Sequence, residues 1–125
     1  MHTDDEEKWN KLTEQIIGCA FKVANTLGPG FAEKVHENAM AHELKKLGLG
    51  VRQQWPIAVT YDGVVVGDYT ADLLVEDTVL VELKAVRSLD DAHKAQCLNY
   101  LAATGICVCL LINFQKRVEV QRFRK

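Results

Sequence analysis

The chain has 125 residues, 48% of them apolar, a formal charge of -2 and four cysteines. That is enough chain for one compact domain of about 100–150 residues and too little for two. The near-balanced charge excludes a global basic field as a basis for polyanion binding, so any nucleic-acid contact must be local.

The opening residues MHTDDEEKWN are acidic and polar, and no apolar run approaches the roughly 20 residues of a membrane span. Neither secretion nor membrane insertion is expected. Trp9, Leu12, Ile16, Cys19, Val23 and Leu27 then recur at three- and four-residue steps behind Asp4, Asp5, Glu6 and Glu7, which predicts a first helix over 4–27. Gly28-Pro29-Gly30 ends it. A second helix is predicted from Phe31 to about Leu47, stopped by Gly48.

Val51–Tyr61 is rich in β-formers and runs into Asp62-Gly63, a hairpin signal. Strands continue over Val64–Val66 and Tyr69–Val75, with Gly67 marking a bulge or irregularity, and then over Val79–Val86. Asp90 or Asp91 caps a third helix reaching Thr104-Gly105. Val108–Phe114 is a continuous apolar run of the kind buried on both faces, and Val118–Phe123 alternates as an edge strand. The order α, α, β, β, β, α, β, β predicts a mixed α/β (α+β) fold with a central sheet flanked by helices, in a single domain over 1–125. The edge strand invites pairing with a second copy, which leaves a homodimer open.

Cys19, Cys97, Cys107 and Cys109 lie on segments that read as helix or buried strand, and none forms a CxxC pair. Reduced core thiols in a cytoplasmic protein are expected.

The chemistry concentrates in ADLLVEDTVLVELKA, residues 71–85. Glu82 and Lys84 project from one strand face with Cα atoms roughly 6.5–7 Å apart. Antiparallel pairing across Glu76-Asp77-Thr78 would bring Asp72 to the same end of the sheet. Solvated charges on a surface strand are the plainer explanation, but the apolar context VLVELKAV makes charge costly unless it is paired or bound to metal. Glu33, His36 and Glu37 continue the stripe of Met40, Leu44 and Leu47, and either glutamate could face a cation or simply complement the helix dipole. His93, Gln96 and Tyr100 share a face of the third helix, as a polar seam or as groups that hold a water or phosphate oxygen.

These segments together resemble the small GxxExxY proteins of the PD-(D/E)xK nuclease superfamily. The matching stretches are Gly30-Phe31-Ala32-Glu33-Lys34-Val35-His36, Glu37-Asn38-Ala39, Ala71 to Val75, Val81 to Ala85, His93 through Gln96 to Asn99-Tyr100-Leu101, and Leu110 to Phe114. His36 stands where the family name has tyrosine, a position that can still donate a hydrogen bond. The resemblance implies a restriction-endonuclease-like αβββαβ core. It also implies that Asp72 and Glu82 hold Mg2+ or Mn2+, Glu33 contributes from the helix, Lys84 positions or activates the attacking water, and Gln96 assists. Glu37 is the second choice for the helix carboxylate, with His36, His93 and Tyr100 in support.

The expected function is therefore a Mg2+-dependent nuclease-like phosphodiesterase acting on DNA or RNA. The alternative is a catalytically silent nuclease-fold module that binds or assembles through a protein partner. Local basic patches for nucleic acid are Lys45, Lys46 and Arg52, or the tail with Lys116, Arg117, Arg122, Arg124 and Lys125.

Overall fold

The computed structural model describes residues 3–125. Residues 1 and 2 of the expected domain lie outside the described residues. The elements follow the expected order: α1 (Thr3–Leu27), α2 (Glu33–Lys46), β1 (Val51–Tyr61), β2 (Val64–Val75), β3 (Val79–Lys84), α3 (Asp91–Thr104), β4 (Val108–Asn113) and β5 (Glu119–Arg124).

The five strands form one mixed sheet in the order β1-β2-β3-β4-β5. Only β3 and β4 run parallel, as strands joined by a crossover helix must when they are neighbours. β4 lies inside the sheet, between β3 and β5, and all six of its residues are buried. Its unbroken apolar run from Val108 to Ile112 suits a strand covered on both faces. On one face α1 and α2 lay down Leu12, Ile16, Ala20, Val23, Met40 and Leu44 over Val79, Val81 and Leu83. On the other, α3 sets Cys97, Tyr100 and Leu101 against Leu74, Leu80 and Leu111. All four cysteines are free thiols, with Cys107 the partly exposed one.

Boundaries move where backbone conformation overrides pattern. The second helix starts at Glu33, two residues later than expected, because Gly30 (φ +105°) still turns the chain and Ala32 is extended. Glu33 is thereby left in the first turn of α2. The two strand pieces expected around Gly67 are one strand, kinked by a register shift between Val59 and Thr60. Asp62-Gly63 closes the hairpin with both residues at positive φ, as a type I′ turn requires. β3 ends at Lys84 and not Val86, since Val86 pairs with the side chain of buried Asn113 in place of a strand.

His36 lies 1% exposed in the core, its ring stacked 4.3 Å from that of Phe114. Neither ring nitrogen has a hydrogen-bond partner, so the hydrogen bond anticipated for this position is not made within the described residues. A buried unsatisfied polar group costs about 1–3 kcal/mol. The His36→Phe protein should therefore unfold at higher urea, with a stability gain of about 1–3 kcal/mol. A loss of stability would show instead that the imidazole is hydrogen-bonded in solution.

Candidate active site

The sheet comes apart at one level. The β2–β3 ladder runs through Val75–Val79, Leu74–Leu80 and Leu73–Val81 and stops there, leaving Asp72 and Glu82 facing each other unpaired. Their side chains replace the missing ladder. The Asp72 backbone N–H donates to Glu82 Oε1 (3.0 Å), and the Leu83 backbone N–H donates to Asp72 Oδ2 (2.7 Å). Each carboxylate is thus pinned by one oxygen to the opposite strand. Asp72 Oδ1 and Glu82 Oε2 take no backbone hydrogen bond from a described residue.

Lys84 follows on the same face as Glu82, with its Nζ 3.9 Å from Glu82 Oε2 and its side chain 19% exposed. The turn that sets this register is Glu76-Asp77, both at positive φ, and Glu76 is tied to Gly50 through its backbone N–H and its carboxylate. The antiparallel pairing inferred from the sequence therefore does bring Asp72, Glu82 and Lys84 together.

The electrostatics of this gap are those of acids short of positive charge. Burial, reinforced by the charge of Asp72, pushes the Glu82 carboxyl up to about 8. Burial likewise raises Asp72, against the lowering effect of the Leu83 and Gln54 hydrogen bonds. Burial and then the nearby Glu82 and Asp72 charges raise the Tyr100 phenol.

The two helix glutamates differ. Glu37 is 3% exposed and fully engaged: Oε1 accepts from Gln54 Nε2 (2.6 Å), and Oε2 accepts from Gln53 Nε2 (2.7 Å) and Lys34 Nζ (2.9 Å). Glu33 is exposed, its charge is felt at Glu82, and it makes no hydrogen bond to a described residue.

Gln54 was not foreseen. It lies on β1 opposite Asp72, at the one position of that stretch where Gln53–Leu73 and Trp55–Ala71 pair but the residues between them do not. Its φ is +52°. Its Nε2 also donates to Asp72 Oδ1 (3.2 Å). A glutamine in an alternating strand carries no signal of such a role in sequence.

From α3, the Tyr100 hydroxyl donates to the Thr70 carbonyl (3.1 Å), and Gln96 lies half-buried one turn earlier without a hydrogen bond to a described residue. His93 is engaged elsewhere, in a capping box with Asp90: the Asp90 backbone N–H donates to its Nδ1, and its own N–H donates to Asp90 Oδ1.

The basic residues divide. Lys116 and Arg117 are exposed in the loop after β4, at the same end of the sheet as Lys84, where the Phe114 N–H donates to the Lys84 carbonyl. Lys45, Lys46 and Arg52 lie at the opposite end, and Lys46 and Arg52 pair with Glu43 and Asp77. On the edge strand, Arg122 and Arg124 bond Asn10 and Glu6 of α1.

Among the described residues no three histidine, cysteine or acidic side chains gather as a ready-made metal cage. The available oxygens still suit a hard cation such as Mg2+ or Mn2+. Asp72 Oδ1 and Glu82 Oε2 are the oxygens the backbone leaves over, with the Gln54 amide N–H 3.2 Å from the first and the Lys84 ammonium 3.9 Å from the second, both positive-ended. Among the described residues no helix is long and apolar enough to cross a membrane.

Residues 10–124 match the family described as the PD-(D/E)XK nuclease superfamily. No curated protein matches the chain. Among solved structures, an alkaline exonuclease (LHK-Exo) from Laribacter hongkongensis is similar at TM-score 0.55 and 19% identity, over 74% of this chain and 55% of that one. The same exonuclease in complex with dAMP gives 0.57 and 19%, over 75% and 56%. The protein SSO0001 gives 0.59 and 17%, over 74% and 50%. The mixed sheet with its flanking helices is thus the fold of these structures, and the chain spans about half the length of each.

Proposed function

The chain belongs to the PD-(D/E)XK nuclease superfamily, and from that premise we propose that it is a Mg2+- or Mn2+-dependent nuclease-like phosphodiesterase acting on DNA or RNA. The observation that carries this reading is the exchange between Asp72 and Glu82, each pinned to the other's strand by one oxygen with the second left at the gap. In this reading Asp72, Glu82 and Glu33 hold the cation, Lys84 orients or activates the attacking water, and Gln96 steadies it. Glu37 and Tyr100 act in support, whereas His36, stacked on Phe114 in the core, and His93, held in the Asp90 capping box, contribute to the fold. The metal, when bound, offsets negative charge on the phosphate and lowers the pKa of its water. Lys116 and Arg117 are the basic residues placed to meet a nucleic-acid strand at this end of the sheet. The proposal extends to membership of the GxxExxY group, to a single domain over 1–125 and to a cytoplasmic protein. The dAMP bound by the structurally similar exonuclease supports a nucleotide ligand here.

One feature favours the silent binding module: the formal charge of -2 on a small chain, where phosphate contacts need a basic surface. A single experiment separates the two readings. Labelled single-stranded, double-stranded and branched DNA and RNA are incubated with wild type and Asp72→Ala in Mg2+, Mn2+ or EDTA, and melting is followed in parallel. We expect cleavage that needs the cation and Asp72, and a cation-dependent rise in melting temperature in the wild type alone. Binding to the folded state at 100 times its dissociation constant stabilises by about 2.7 kcal/mol. Cation stabilisation without cleavage of any substrate favours the module, and equal melting shifts in both proteins sink the metal site as drawn.

A further inference from the structure

Gln54 sits in a backbone conformation that L side chains other than asparagine and aspartate rarely adopt, φ +52° in the middle of an eleven-residue strand. Glycine would relieve that strain. A strained residue persists when its surroundings hold it there, and such residues cluster at working sites. Here the surroundings are explicit. The left-handed turn of the backbone takes Gln54 out of the β1–β2 ladder opposite Asp72. Its amide then reaches Glu37 Oε1 at 2.6 Å and Asp72 Oδ1 at 3.2 Å.

Glu37 is fixed in turn by Gln53 and Lys34, and Gln53 also donates to Asn38 Oδ1. A continuous chain of hydrogen bonds therefore runs from α2 through Glu37 and Gln54 to Asp72 and on to the Leu83 N–H. Both oxygens of Glu37 are committed within it, whereas Glu33 has none committed.

We propose that Gln54 is a positioning residue for Asp72: anchored by Glu37, its amide fixes the Asp72 carboxylate in the gap between β2 and β3, so that Glu37 acts through Gln54 and is not itself a metal ligand. The inference rests on the metal-site reading above. Residues that orient metal ligands typically contribute 10- to 100-fold in affinity or activity. Because Gln54 and Glu37 serve one chain of bonds, their losses overlap and do not add.

The test is Mn2+ binding by calorimetry on the full chain, for wild type, Gln54→Gly, Glu37→Gln, the double variant and Asp72→Asn, with urea unfolding of each in EDTA. We expect Gln54→Gly and Glu37→Gln each to weaken Mn2+ by about 10- to 100-fold, with the double variant no weaker than the worse single one. Asp72→Asn loses binding altogether. The unfolding midpoint of Gln54→Gly balances relief of the left-handed strain against loss of the amide's bonds to two carboxylates, and a cooperative transition shows that the variant tested is folded. Gln54→Asn suits the same backbone with a side chain too short for the bridge, and repeats the test should the glycine variant unfold. Wild-type affinity in Gln54→Gly overturns the proposal. So does a Glu37→Gln protein as dead to Mn2+ as Asp72→Asn while Gln54→Gly still binds, which makes Glu37 a direct ligand. No binding by wild type removes the metal reading and this proposal with it, a failure distinct from the other two, in which wild type binds.

Discussion

The Lys84→Ala protein should cleave phosphodiesters about 10²- to 10⁴-fold more slowly than wild type, the range spanned by a positioned acid–base group or a preorganised charge, while binding Mn2+ at least as tightly. The two halves of this expectation have one cause. Lys84 holds its ammonium 3.9 Å from Glu82 Oε2 in a partly covered place, where charge is poorly screened and acts strongly on whatever negative charge develops beside it. Removing it takes away stabilisation that the transition state needs. The same ammonium competes with a cation for the carboxylates, so its loss leaves them freer to bind metal. Single-turnover cleavage under saturating Mn2+ gives the first half, and calorimetry gives the second. Unchanged cleavage would strip Lys84 of its role, and lost Mn2+ binding would make it a structural partner of Glu82.

The metal-free protein should lose stability as pH rises from about 4.5 to about 8. Glu82 ionises near its ordinary 4.5 in the unfolded chain and only at about 8 when folded. Between those values the unfolded state binds fewer protons than the folded state, and stability falls with pH wherever that holds. Above the folded value both states are ionised and the loss levels off. At 1.36 kcal/mol per pH unit, the separation is worth on the order of 3–5 kcal/mol. The raised Asp72 adds to it with the same sign, starting lower. Urea unfolding in EDTA across this window should therefore show a falling midpoint in wild type and a much flatter one in Glu82→Gln. Mg2+ should reverse the trend, because it binds the ionised carboxylates and gains affinity as protons leave. A flat wild-type profile in EDTA would mean that Glu82 is already ionised in the fold.

Both expectations concern residues visible in the sequence, and the reason is local. The eight elements, the edge placement of Val118–Phe123, the irregularity at Gly67 and the meeting of Asp72 with Glu82 and Lys84 all follow from short-range pattern. Alternation fixes which side chains share a face, and one tight turn fixes register across it. What was hidden depends on distant segments or on backbone dihedrals. Nothing in LGVRQQWPI separates Gln54 from Gln53, yet with the flipped φ angle at Gln54 both amides reach Glu37 and only that of Gln54 goes on to Asp72. Glu33 and Glu37 are equivalent by helical spacing and become distinct only once β1 crosses beneath α2 with its two glutamines. His93 carried a local signal that outweighed its helical face: it stands three residues after Asp90, the spacing of a capping box.

The ends of the sheet also decide when this molecule can exist as a folded body. Arg122 bonds Asn10 and Arg124 bonds Glu6, links that close loops of 112 and 118 residues. Fully buried β4, against which the acid-bearing strand β3 must lie, likewise arrives only after α3. Early in synthesis the apolar stripe of α1 therefore has no sheet to cover, and Asp72 and Glu82 have no dry interior to raise them. The carboxylate pair therefore gains its dry surroundings only after the non-local pairing of β3 with β4, a search that such topologies make slow.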